Sequence, residues 1–167
     1  DRKLLSIATP FPVTVETHHL THQQDLAWLL TRDNLTGLYN RERFSEHLNH
    51  CIQASSVNNH HYSLYLIKLS FSDQHLLPAH YQQTSQKLVS QTLSDLLDAP
   101  HFLASPSENH FCFILSDDTD NAQLLGRINS ALEDSFEPKQ ETTYSTTRIQ
   151  LSKASEDAEH ILSTAGV

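Results

Sequence analysis

Asp33-Asn34-Leu35-Thr36-Gly37-Leu38-Tyr39-Asn40-Arg41-Glu42-Arg43-Phe44 is the stretch whose reading decides the fold. Asp33, Asn34 and Gly37 are turn formers: short polar side chains bond to nearby backbone, and glycine accepts conformations that a Cβ forbids. Asn40 is a good N-cap, and the helix it opens shows a buried stripe of Phe44, Leu48, Cys51 and Ile52. On the other side, Leu26, Leu29 and Leu30 with Trp28 have the spacing of a helix that runs up to Arg32. The stretch therefore joins two helices by a tight turn.

Outward from there, the polar run from Ser55 to His61 is a loop. Leu64 to Leu69 is nearly continuous apolar sequence, interrupted by Lys68, and predicts a central strand buried on both faces. Pro78 opens a long helix with Val89, Leu93, Leu96 and Leu97 on one face. Strands are predicted at His101 to Ala104 and His110 to Leu115, with the turn residues Ser105 to Asn109 between them as a hairpin. Leu125, Ile128 and Leu132 mark another helix. Tyr144 to Leu151 is a Thr-rich strand, and Ala154, Ala158, Ile161 and Leu162 pattern a last helix. Strand, helix, hairpin, helix, strand is the order of an α+β, ferredoxin-like βαββαβ core. Helices are expected to cover one side of a mostly antiparallel sheet. Many activities share this order, so it names none by itself.

The chain has 167 residues, enough for one domain with a proper core. Its formal charge of −9 argues against nucleic acid and anionic membrane as partners, since both need a basic field. Cys51 and Cys112 lack CxxC spacing and read as buried free thiols in a reducing compartment. No apolar run reaches membrane-spanning length, and no signal peptide is apparent, so a cytoplasmic location is expected. The sequence contains no methionine and begins at Asp1, which predicts an excerpt from a longer protein. Residues 1–19, with Pro10 and Pro12, are expected to be a linker or the tail of an upstream domain, and 20–167 the folded domain with its leading helix.

Asp33-x-Leu35-Thr36-Gly37-Leu38-x-Asn40-Arg41-x-x-Phe44 resembles the DxLTGLxNRxxF signature that opens GGDEF domains, the domains that synthesise cyclic-di-GMP. The C-terminal Ala165-Gly166-Val167 is similar to that family's AKxxGR ending. The resemblance implies a GGDEF, nucleotide-cyclase-like fold with a central sheet flanked by helices. It also implies where chemistry would lie, and there the sequence departs from the family. The namesake slot in the hairpin turn holds Ser107-Glu108-Asn109-His110-Phe111, in which the terminal Phe alone agrees. The family's glycines let backbone lie against the nucleotide, and its acids bind magnesium and help activate the attacking hydroxyl. Ser107 and Glu108 stand at the glycines, Asn109 and His110 at the acids. The Asp-x-Asp that ends the first strand in active relatives is Lys68-Leu69-Ser70 here, and an ammonium repels a divalent cation.

The other carried-over positions depart as well. The guanine-reading pair falls on Leu76 and Ser85, and the triphosphate-binding Lys and Arg on Ser163 and Val167. The inhibitory RxxD becomes Asp98-Ala99-Pro100-His101, and an aspartate cannot replace an arginine fork. No catalytic, cofactor, metal or inhibitory site is therefore expected. His18 with His22 and His47 with His50 have spacings that suit metal ligands, but no third ligand completes either pair, and solvated helix surface is the expectation. Tyr65, Phe71 and Phe113 are expected in the core.

The resulting expectation is a degenerate, non-enzymatic GGDEF domain that acts as a scaffold, dimerisation or relay module in a multidomain cyclic-di-GMP signalling protein. It resembles the inactive GGDEF domains of FimX-type GGDEF–EAL proteins. The partners implied are an upstream sensory domain, a downstream EAL domain and a second copy in a homodimer. The alternatives are a GTP-binding domain that regulates a linked EAL phosphodiesterase, and a residual diguanylate cyclase.

Overall fold

A computed structural model describes residues 26–57, 61–71, 79–97, 102–136, 142–151 and 157–167. The chain divides into two compact units between Arg32 and Asp33. In the first unit, residues 26–31 are helical, in line with the spacing of Leu26, Leu29 and Leu30.

The second unit contains, in order, helix α1 (Arg41–Val57), strand β1 (Tyr62–Phe71), helix α2 (Ala79–Leu96), strand β2 (His110–Ser116), helix α3 (Ala122–Ser135), strand β3 (Thr142–Gln150) and helix α4 (Ala158–Thr164). β1 lies at the centre of the sheet, antiparallel to β2 on one side and to β3 on the other. The predicted strand from His101 to Ala104 is reduced, among described residues, to one bridging residue: Ala104 and Cys112 exchange N–H···O bonds at 2.9 Å. His101 lies outside the described residues. With Ala104 counted as the second strand, the strands keep the ferredoxin-like arrangement.

Alternation along β1 explains how one apolar run serves two cores. Tyr65, Ile67, Leu69 and Phe71 join Val89 and Leu93 of α2 and Ile128 and Leu132 of α3. Leu64 and Leu66 join Phe44 and Leu48 of α1 and Ile161 and Leu162 of α4. The sheet is thus covered on both faces, which corrects the expectation of helices on one side. The reason is in β1 itself: a strand apolar on both faces needs an apolar stripe on each. Cys51 and Cys112 are buried free thiols; burial raises the Cys51 thiol to about 11 and pushes the Cys112 thiol well above its ordinary value. Tyr65 stacks on Phe113 within the core, ring centroids 5.4 Å apart.

Candidate functional site: the cleft under the hairpin turn

The loop before α1 is organised by Asp33. Its carboxylate accepts from the Thr36 N–H at 2.9 Å and from the Thr36 hydroxyl at 2.7 Å. Its carbonyl accepts from the Gly37 N–H, and Gly37 has φ 74°, the left-handed region that glycine enters without a Cβ penalty. Asn40 then caps α1, its side-chain oxygen accepting from the Arg43 N–H at 3.0 Å. Tyr39 pairs with the hairpin segment: the Ser105 N–H donates to the Tyr39 carbonyl at 2.9 Å. The loop and the hairpin are therefore one connected structure, which the sequence did not reveal because a single-residue bridge has no periodicity.

The hairpin turn is held from within. The Ser105 hydroxyl donates to the His110 carbonyl at 3.0 Å, and the His110 N–H to the Ser107 carbonyl at 3.1 Å. His110 Nδ1 lies 2.9 Å from both the Ser107 hydroxyl and the Glu108 carbonyl. Asn109 has φ 65°, a conformation that asparagine tolerates better than most residues. Its N–H donates to Gln86 Oε1 of α2 at 3.2 Å, and its carbonyl accepts from the Leu69 N–H at 2.8 Å.

Lys68 and His110 are cross-strand partners at the mouth of the hairpin, and Lys68 is exposed. Burial pushes the His110 imidazole below its ordinary value, the Glu108 carbonyl draws it back up, and the Lys68 ammonium lowers it again. Phe111 is fully buried and serves the core.

Between these elements lies a cleft of about 420 Å³. Asp33 and Leu35 come to it from the loop, Asn40, Arg41 and Glu42 from the start of α1, Gln86 from α2, and Ser105 to Glu108 from the turn. Arg41 donates through Nε and Nη2 to Glu159 Oε1 of α4 at 3.1 and 3.0 Å, and Ser45 donates to the other Glu159 oxygen. The cleft's guanidinium is thus already engaged by a carboxylate. Sequence reasoning missed Gln86. Ser85, the position carried over, is buried without lining the cleft, while its neighbour Gln86 does line it. No local signal in the sequence marks Gln86, because the residue it pairs with, Asn109, belongs to the hairpin turn.

The remaining carried-over positions are separate from this cleft or outside the described residues. Ser163 is exposed on α4, and Val167 packs against the α1–α4 core. Leu76, and the stretch from Asp98 to His101, lie outside the described residues, as do His18 and His22. His50 is exposed as expected. His47 is not a solvated surface residue: its ring stacks on Phe102 at 4.1 Å, and Phe102 stacks on Tyr39 at 4.1 Å.

No family model matches the sequence, and no curated protein matches it. Solved structures do match in fold. The coiled coil and GGDEF domain of DgcB from Caulobacter crescentus, crystallised with c-di-GMP, aligns with a TM-score of 0.71 at 16% identity, over 92% of this chain and 86% of that one. The FimX GGDEF domain from Pseudomonas aeruginosa aligns at 0.68 and 19% identity, over 81% of this chain and 89% of that one. A sensory box/GGDEF family protein from Caulobacter crescentus aligns at 0.65 and 21% identity, over 81% and 93%. The fold is that of GGDEF domains.

GGDEF chemistry implies magnesium, and the residues at the hairpin do not suit it. A hard divalent cation needs oxygen ligands, chiefly carboxylates. The strand end and turn offer instead the Lys68 ammonium beside His110, with Glu108 exposed. Among the described residues, no group of His, Cys, Asp or Glu could hold a metal ion. Among the same residues, no helix is long and apolar enough to cross a membrane.

Proposed function

We propose that the chain is a non-catalytic GGDEF domain, a scaffold, dimerisation and relay module of a multidomain cyclic-di-GMP signalling protein. The observation that carries this reading is the Lys68–His110 pairing under the Ser107 to Phe111 turn. Metal-assisted activation of a hydroxyl requires carboxylates where Lys68 and His110 stand; the Lys68 ammonium repels a divalent cation, and His110 supplies no oxygen ligand. The fold likeness to the FimX GGDEF domain agrees with a FimX-type role beside a sensory domain and an EAL domain. Residues 20–167 would form the domain, with its leading helix as the element through which signals enter. The exposed Trp28, Leu29 and Leu30 suit pairing with a second copy of that helix.

Incubation of the purified 167-residue protein with GTP and magnesium, followed by chromatography, tests the reading. No cyclic-di-GMP is expected above background, and product that scales with enzyme would sink it and restore the cyclase reading. The second reading, a GTP-binding domain that tunes an EAL phosphodiesterase, is favoured by the persistence of the cleft. Calorimetric titration with GTP and magnesium separates the two: micromolar binding selects the regulatory domain, and the scaffold reading expects none.

A further inference from the structure

Among the described residues, β3 is an outer strand of the sheet, and it lacks the devices that close such an edge. It pairs with β1 residue for residue, from Gln150 opposite Ser63 to Thr142 opposite Phe71, with no bulge. The Leu151 N–H donates to the Tyr62 carbonyl, so the odd-numbered residues of β3 turn their main chain to β1. Tyr144, Thr146, Arg148 and Gln150 turn theirs outward, and those groups have no partner among the described residues. Ser145, Thr146, Thr147 and Arg148 are exposed as well. Long edges are commonly blunted by proline, lysine, a bulge or a covering loop, because an open one is a template for another strand. Thr142–Gln150 holds instead four threonines, a tyrosine and an isoleucine, with no proline or glycine and Arg148 as its one charge.

Charge and symmetry narrow what fits this edge. Two copies of β3 meet antiparallel about a two-fold axis, and the residue on the axis sets the register. Arg148 on the axis would oppose two guanidinium groups, a repulsive pair. With Thr146 there, threonine meets threonine, and each Arg148 lies opposite the second copy's Tyr144. Tyr144 suits an arriving cation. Its hydroxyl donates to the Asn129 carbonyl of α3 at 3.2 Å, and burial, then the nearby Glu133 carboxylate, raise its phenol. The guanidinium therefore meets an aromatic ring and a carboxylate together. Arg148 donates through Nη2 to Asp117 at 3.0 Å, yet half of its side chain is exposed and part of its donor fork is left over.

We infer that β3 is a second contact between copies: in a dimer held by the leading helices, the two β3 edges pair antiparallel with Thr146 on the axis and join two sheets into one. This rests on the dimer reading above and gives it a defined state that a relay makes or breaks. The edge alone does not hold two copies, because its main-chain groups only exchange bonds to water for bonds to each other. Paired helices raise the concentration of one edge about the other to the order of 1 mM, which favours the exchange.

Disulfide trapping of Thr146→Cys in the full 167-residue chain tests this, with sedimentation of the same protein beside it. Opposed residues of a hydrogen-bonded antiparallel pair have Cα atoms about 5.5 Å apart, within the roughly 4.4–6.8 Å that a disulfide spans. Mild oxidation at micromolar protein is expected to give a reducible covalent dimer. It should form at least about tenfold faster than for Ser94→Cys, at an exposed position of α2. The same margin is expected over Thr146→Cys in a chain without residues 1–32, where the tether is gone. Thr147→Cys is also expected to be slow, since in this register Thr147 opposes the second copy's Ser145. A chain that sediments as a dimer but traps no faster at Thr146 than at Ser94 overturns the edge contact and leaves the helix dimer standing. Trapping at Thr147 as fast as at Thr146 overturns it too. A monomeric full chain removes the dimer reading and the edge contact with it.

Discussion

Asp33 and Asn40 show how much structure two short polar side chains can set. Each satisfies backbone donors that a helix start or turn would leave unpaired. Asn40→Ala is expected to lower unfolding free energy by about 1 kcal/mol, read as a shift in urea midpoint at unchanged slope. An unchanged midpoint would mean that the cap is not used in solution. Both residues were legible, because turn and cap chemistry depends on a few neighbours in sequence. Gln86 was not legible in that way. Its partner, Asn109, is on another element, and no local pattern reports a contact made through the fold.

Among the elements, β1 and α1 carry different lessons. The apolar run of β1 predicted a strand buried on both faces, and its alternate residues do enter separate cores. Leu64→Ala, at a fully buried position, is expected to cost about 2–5 kcal/mol in chemical denaturation. A loss under about 1 kcal/mol would contradict the packing described. On α1, His47 stacks on Phe102 while Arg43 lies over the same ring, 4.8 Å from its centroid. Burial, then the Arg43 and His50 charges, hold the His47 imidazole below its ordinary value. The folded state therefore prefers neutral His47, and the unfolded chain takes up the proton first as pH falls. Its contribution is full above the ordinary histidine value, about 6.5, and is lost as pH falls from there toward the lower folded value. His47→Phe keeps the ring stack and removes the proton. Its stability is expected to fall less than that of the parent between about pH 7.5 and about pH 5 in urea titrations. His110, shifted the same way, leaves a remainder. Equal slopes would show that His47 is not the coupled group.

At the scale of the molecule, both hydrophobic cores are built, among the described residues, from Asp33–Val167. Removal of residues 1–32 is therefore expected to change the unfolding free energy of the remainder by no more than about 0.5 kcal/mol. The same truncation is expected to abolish self-association in sedimentation experiments, because it removes the exposed Trp28, Leu29 and Leu30. A truncated chain that still dimerised would place the dimer contact elsewhere and weaken the relay mechanism proposed above.

By itself, the sequence determined the turn and cap before α1, the type of nearly every element, the buried faces of the helices and the residues present in the hairpin slot. These depend on local propensity and periodicity, which act over a few residues. The tertiary structure alone decided which helices cover which face of the sheet and that the strand before the hairpin shrinks to Ala104. It also decided that His47 leaves the solvent for an aromatic stack, and that Gln86 brings an unpaired donor to the cleft. Each of these depends on which elements meet across the sheet. That is set by the packing of distant surfaces against one another, and no single segment encodes it.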